Sequence, residues 1–354
     1  MYTPDLMTML DGTPVTAPSQ WCKRRDELLE ILDREEYGRM PANSSPACET
    51  ILQAAEPCCG NLGYSERLGI SLDTPKGTFS FPVQFLYPAD GQAHPLIIHL
   101  GFQEDAFNPA CPVERILQEG FALGYIFYQA ITTDDGDWTN GLAGCYPRTG
   151  AADEWGKIAM WAFAASRAAD VLAKRSQVDA ENMAVIGHSR LGKTSLVCAA
   201  HDPRFRFALI NDSGCGGDAL EQTKHPGAET FAVMDRAFPF WFCKNRSKYV
   251  DPAVPRPFDQ HFLVAAIAPR FVYIGSASED AWADPYSQQL CAVAASPAWA
   301  LHNLKGFLGP ETPAEIGISY SEGSIGYHLR FGSHALTDFD WQNYLEFMKA
   351  RLQK

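Results

Sequence analysis

Residues 185–195 read VIGHSRLGKTS, and this stretch fits two incompatible kinds of chemistry. From Gly187 to Thr194 it satisfies G-x-x-x-x-G-K-[ST], a loop whose backbone N–H groups cradle phosphates. The same residues place Ser189 where a strand turns into a helix, the setting of a serine nucleophile. Either arrangement offers a helix N-terminus to an anion, a phosphate in one case and the oxyanion of an acyl-transfer intermediate in the other. Arg190 and Lys193 would stand in the first helical turn, where cations oppose the macrodipole by roughly 0.3–1 kcal/mol each. They suit a ligand better than they suit the helix, whichever motif holds.

Residues elsewhere in the chain separate the two. A serine needs a base to take its proton, and the base needs a carboxylate to hold its tautomer. The chain supplies Ser189, then the acidic loop SEDAWADP (278–285), then Gly332-Ser333-His334. Nucleophile, acid, histidine is the order of α/β-hydrolases. Two carboxylates stand open as the acid: Asp280, with Glu279 beside it, and Asp212, which ends the apolar run FALIND. Asp212 would equally resemble the Mg²⁺-binding carboxylate of a nucleotide hydrolase. However, a phosphate loop belongs on an early strand, several strand-like runs precede residue 183, and no arginine-finger or base-recognition signature accompanies it. The elbow is the better reading. It departs from G-x-S-x-G, because Leu191 occupies the second place after the serine and Gly192 comes one later.

The elements that must position these residues follow from periodicity. Residues 20–38 put Trp21, Leu28, Leu29, Ile31 and Leu32 on one side of an amphipathic helix. Residues 79–88 alternate Phe79, Phe81, Val83 and Phe85, a strand with one buried face. The apolar runs at 95–102, 122–129, 183–187, 207–211 and 270–276 have the length of buried strands. Helices are predicted over 152–175, with Trp155, Ile158, Trp161, Ala165 and Leu172 inward, from near Arg190, and over 337–353. This alternation predicts the α/β class: a mostly parallel sheet between two helical layers. Residues 213–269 exceed any ordinary connection and predict a lid-like helical insertion near the sheet's C-terminal edge. One domain spanning 1–354 is the simplest account.

Composition narrows the partners. A formal net charge of −13 argues against nucleic acid and anionic membrane surfaces. No apolar stretch approaches the ~18–20 residues of a membrane span. The opening MYTPDLMTMLDGTPV has neither a basic region nor an apolar core, so a cytoplasmic protein is expected, or a secreted or periplasmic one if a leader has been removed. The 10 cysteines include no C-x-x-C pair, which predicts reduced thiols and no metal site. Cys215 in SGCGG reads as a small buried residue. His99 and His328 read as core histidines, and His188 as a structural position pointing away from Ser189 across the turn. Asp284-Pro285 reads as a capped helix start, and Asp338 and Asp340 as first-turn helix residues.

The ordered blocks GHSRLGK (187–193), NDSGCGG (211–217), DQHFLVAAIAPR (259–270), EDAWADP (279–285) and GSHALTDFDW (332–341) resemble the bacterial glucuronoyl esterases of carbohydrate esterase family 15. WTNG (138–141), RAADVL (167–172) and the opening WCKRRDELLEILDREEYGRMP (21–41) fit the same family. The resemblance implies an α/β-hydrolase fold and a serine esterase without cofactor. Its substrate would be the ester between (4-O-methyl-)glucuronate and an alcohol, as a small glucuronate ester or on a glucuronoxylan-derived oligosaccharide. It implies Ser189 as nucleophile, His334 as general base and Arg190, with backbone N–H, as oxyanion donor. Lys193 would reach sugar hydroxyls, Glu229 a ring hydroxyl, and Trp282 would pack on the sugar. Family members carry the acid after either strand, so Asp280 and Asp212 both stay candidates. The shorter Asp where many members have Glu favours Asp280. A carbohydrate acetyl esterase of the same fold is the alternative within the class, and a phosphate-loop hydrolase the alternative outside it. The resemblance assigns no oligomeric state.

Overall fold

Runs of Val, Ile, Leu and Phe too short for helices become the strands of one ten-stranded sheet in the computed structural model, which describes residues 4–41 and 46–352. In chain order the strands are β1 (Cys48–Cys58), β2 (Gly63–Thr74), β3 (Gly77–Pro88), β4 (His94–Gly101), β5 (Ala122–Phe127), β6 (Val178–His188), β7 (Phe205–Asn211), β8 (Phe271–Ala277), β9 (Ser319–Tyr320) and β10 (Ile325–Arg330). Across the sheet they run β1-β2-β3-β5-β4-β6-β7-β8-β10-β9. The six from β5 to β10 in that order are parallel, and the antiparallel pairs lie at the two edges. The expectation of a mostly parallel sheet holds.

Side chains alternate across the pleat, so each central strand feeds both layers. In β4, Leu96, Ile98 and Leu100 join the core under the helices Lys157–Leu172 and Arg190–His201, while Ile97 joins the core under Asp338–Leu352. Burial on both faces explains why β4 to β8 read as continuous apolar runs. The helix foreseen over 152–175 begins only at Lys157, after an extended Gly156. A Cβ on Gly156 would stand 2.2 Å from the Trp241 carbonyl oxygen, so the chain must pass there without a side chain. The last residue of the helix predicted over 337–353 lies outside the described residues, as do 1–3 of the opening segment.

The N-terminal helix spans Pro18–Leu32 and continues as one wider turn, Asp33–Tyr37. This turn grips the segment 213–269. Glu36 is buried against Arg246 at 3.2 Å and takes a 2.9 Å bond from the Gln260 amide. The Tyr37 hydroxyl reaches Gly216 O and Gln260 Oε1. The segment itself is made of short turns and the helices Phe231–Ala237 and His261–Ala265. Among the described residues no helix is long and apolar enough to cross a membrane.

Candidate active site

Ser189 follows β6 and precedes the helix Arg190–His201, with φ 59° and ψ −128°. A non-glycine residue there is strained by something like 1–3 kcal/mol, a feature that clusters at functional sites. The neighbouring glycines make the turn possible. A Cβ at Gly187 would meet Leu191 O at 2.1 Å, and one at Gly192 would meet Ser213 Cβ at 2.9 Å. The helix therefore touches the loop after β7 at Gly192, not at Leu191, whose side chain goes fully into the core. This accounts for the glycine that comes one place late. It also removes the phosphate-loop reading: Gly192 and Lys193 already belong to the helix, so no open loop spans 187–192.

The loops after β7, β8 and β10 converge beside this turn. His334 Nδ1 is bonded to Asp280 Oδ2 at 2.5 Å, and Asp280 is buried, its other oxygen accepting the Ala283 N–H. Asp212 is close as well: ligating atoms of Asp212, Asp280 and His334 all lie within 4.8 Å of one another. Asp212 spends one oxygen on the Ala277 N–H at 2.9 Å and has Arg330 at 3.5 Å from the other. Burial, and then the charge of Asp280, push the Asp212 carboxyl well above the usual carboxylate range. His188 does not turn away as its position in the sequence suggested. Its ring lies against that of His334, with centroids 4.3 Å apart and the planes tilted by 44°, and its Nδ1 is paired with Asn211 Oδ1 at 2.6 Å. Burial and the neighbouring His334 hold His188 down to about 3, so it is neutral. The reason is the stiff turn, which aims residue 188 across the loop ends where His334 arrives.

Arg190 leads the helix, whose first N–H groups have no intrahelical acceptor. Its guanidinium pairs with Asp134 and lies over the rings of Trp241 at 4.8 Å and Phe102 at 5.6 Å. Asp134 also accepts from Trp241 Nε1 at 2.6 Å and from the Tyr128 hydroxyl at 3.0 Å. Sequence reasoning missed Asp134 and Trp241. The one available signal was that ITTDDGDWTNG follows an apolar run whose C-terminal end must share the serine's edge of the sheet.

Lys193, Glu229 and Trp282 come together. Lys193 is buried, donates to Ser213 O and lies 3.6 Å from Glu229 Oε2. The Glu229 N–H donates to Trp282 O at 2.9 Å, and Trp282 is 46% exposed, so it is not part of the core. His99 and His328 are core histidines, as expected. His328 is buried between Asp340 and Tyr273, and His99 between the rings of Tyr125 and Trp341. Asp284 accepts from Ser287 N at the start of the helix Pro285–Ala295, and Cys215 is fully buried. Asp340 does stand in the first turn of its helix, but as a buried ligand of His328 and Arg330 and not only as a dipole partner.

Residues 70–302 match the family model described as "Glucuronyl esterase, fungi". A carbohydrate esterase from an unknown prokaryotic organism is 32% identical over 98% of this chain and 89% of its own length. A 4-O-methyl-glucuronoyl methylesterase from Podospora anserina is 28% identical over 92% of this chain, which spans 66% of that relative. The solved glucuronoyl esterase from Solibacter usitatus superposes with a TM-score of 0.91 at 32% identity, covering 99% of this chain and 98% of that one. Serine turn, paired His334 and Asp280, and this agreement along the whole chain lead to one assignment: the chain belongs to the glucuronoyl esterases of carbohydrate esterase family 15, carboxylic ester hydrolases of α/β-hydrolase fold.

Proposed function

We propose that Ser189, His334 and Asp280 are the catalytic triad, and that the enzyme cleaves the ester joining the carboxyl of (4-O-methyl-)glucuronate to an alcohol. His334, oriented by Asp280 through Nδ1, takes the Ser189 proton at Nε2, and Ser189 attacks the uronate carbonyl. The oxyanion forms beside the helix N-terminus, where the Arg190 N–H and guanidinium stabilise it; donors of this kind are each worth about 3–4 kcal/mol of barrier. His334 then protonates the departing alcohol, and water, activated by the same imidazole, releases glucuronate from Ser189. We assign Lys193, Glu229 and Trp282 to the sugar: a charged pair for its hydroxyls and an exposed ring for its apolar face. The natural substrate is read as a glucuronoxylan-derived oligosaccharide ester or a small ester of the same acid. Residues 1–354 are read as one α/β unit, with 213–269 forming the wall on the sugar side.

The observation that carries this reading is the adjacency of two sets. Lys193 stands on the helix that Ser189 caps, Trp282 on the loop that bears Asp280, and Glu229, from the 213–269 segment, lies 3.6 Å from Lys193 and bonds through its N–H to Trp282 O. An acetyl esterase has no sugar on the acyl side of its scissile bond and no use for that trio. The test is hydrolysis of benzyl glucuronate by wild type and by Ser189→Ala. Turnover that falls by more than about 10³-fold in the variant is expected. Turnover of acetyl or p-nitrophenyl esters without any of benzyl glucuronate would discard the uronate; a fully active Ser189→Ala would discard the triad.

A further inference from the structure

The base arrives on a loop, Phe331–Leu336, that belongs to no strand or helix, and one side chain governs its course. Arg330, the last residue of β10, is buried beneath that loop. Its Nη2 donates to Ser333 O at 2.9 Å and to Ala335 O at 2.5 Å, the carbonyls on either side of His334. Nη1 reaches Phe331 O at 3.3 Å, and Nε donates to both oxygens of Asp340 at 3.0 and 3.2 Å. Nη2 also lies 3.5 Å from Asp212. Gly332, at φ 116°, lets the chain double back, and a Cβ there would come 3.1 Å from Nη1. The backbone of the same stretch holds the acid loop: Ser278 N donates to Arg330 O and Glu279 N to Gly332 O, both at 2.9 Å.

We propose that Arg330 is the positioning residue of the catalytic base: its guanidinium holds the carbonyls of the two residues on either side of His334 and anchors the base's loop to Asp340 of the C-terminal helix. A planar fork with five donors can take carbonyls on two sides at once, while an ammonium, which acts as a point charge, cannot. This rests on the triad assigned above. The groups facing His334 are Asp280 after β8, Asp212 after β7, His188 before the serine and Arg330 below, with Asp340 of the C-terminal helix one contact further.

Arg330→Gln removes the fork and the charge, and Arg330→Lys removes only the fork. In both, kcat on benzyl glucuronate is expected to fall by about 10–100-fold with KM changed less than threefold, the size of effect a displaced catalytic group produces. The same comparison on a p-nitrophenyl ester stays informative should the uronate reading fail. Thermal unfolding of each variant keeps the assays below its transition. If Arg330→Gln does not fold, Arg330→Lys alone decides the fork. A kcat within threefold of wild type in the folded Lys variant overturns the positioning role.

Discussion

Asp280 accepts a 2.5 Å bond from His334 while its second oxygen takes the Ala283 N–H, so both are used in holding one orientation. Asp212 faces the same base, but burial and its acidic neighbour favour its neutral form, and a neutral acid cannot stabilise an imidazolium. The two carboxyls are therefore expected to separate on mutation. Asp280→Asn should lower kcat by about 10²–10⁴-fold, and Asp212→Asn by less than about tenfold. Steady-state kinetics of the two variants on benzyl glucuronate checks this; the reverse ranking would move the triad acid to Asp212. The meeting of His334 with Asp280 beside the Ser189 turn was legible because the proposed triad needs three residue types in a set chain order, and the sequence holds them in it. Asp134, Trp241 and Arg330 were not. Asp134 meets Arg190 across 56 residues and Trp241 across 107, and nothing local marks such a meeting; Arg330 acts on carbonyls of its own loop, whose course no residue pattern announces.

The turn at Ser189 is the element on which the chemistry hangs, and two glycines hold it open. Gly187→Ala would bring a methyl to 2.1 Å from Leu191 O, part of the backbone that sets the serine's direction. Neither strand nor helix can yield there without moving Ser189. Expected is a loss of more than about 3 kcal/mol in unfolding free energy together with loss of turnover, measured by denaturant unfolding and ester hydrolysis. A variant of wild-type stability would show that the turn relaxes freely. Legibility among the elements followed burial. Strands β4 to β8, covered on both faces, announced themselves as apolar runs. β1 carries Glu49, Gln53 and Glu56 and is exposed along nearly its whole length, so pairing with β2 alone makes it a strand. In β10 a buried His328 and Arg330 interrupt the apolar signal, because those two side chains serve Asp340 and the loop of the base.

Among the described residues, burial holds three histidines below their ordinary range. Burial lowers His99 to about 3 and His261 to about 4, and burial with the neighbouring His334 lowers His188 to about 3. A folded pKa below the unfolded value of 6.5 gives stability that is complete above pH 6.5 and lost as pH falls toward the folded value. The folded chain should thus weaken with acid below that pH. His99→Phe removes one such site, so its difference in unfolding free energy between pH 7 and pH 5 should be smaller than the wild type's by about 2 kcal/mol. Denaturant unfolding at the two pH values measures it, and an unchanged difference would mean that His99 takes up no proton on unfolding. The grip of Glu36 on Arg246 has a different consequence, one of timing. The partners are 210 residues apart in the chain, and Trp21 bonds to Ala268 across 247. On a ribosome adding roughly 5–20 residues per second, the N-terminal helix waits about 10–50 s for them. During that interval Leu28, Ile31 and Leu32, buried in the finished protein, have nothing to cover them, so yield in a cell will depend on chaperone supply and growth temperature more than on the final stability.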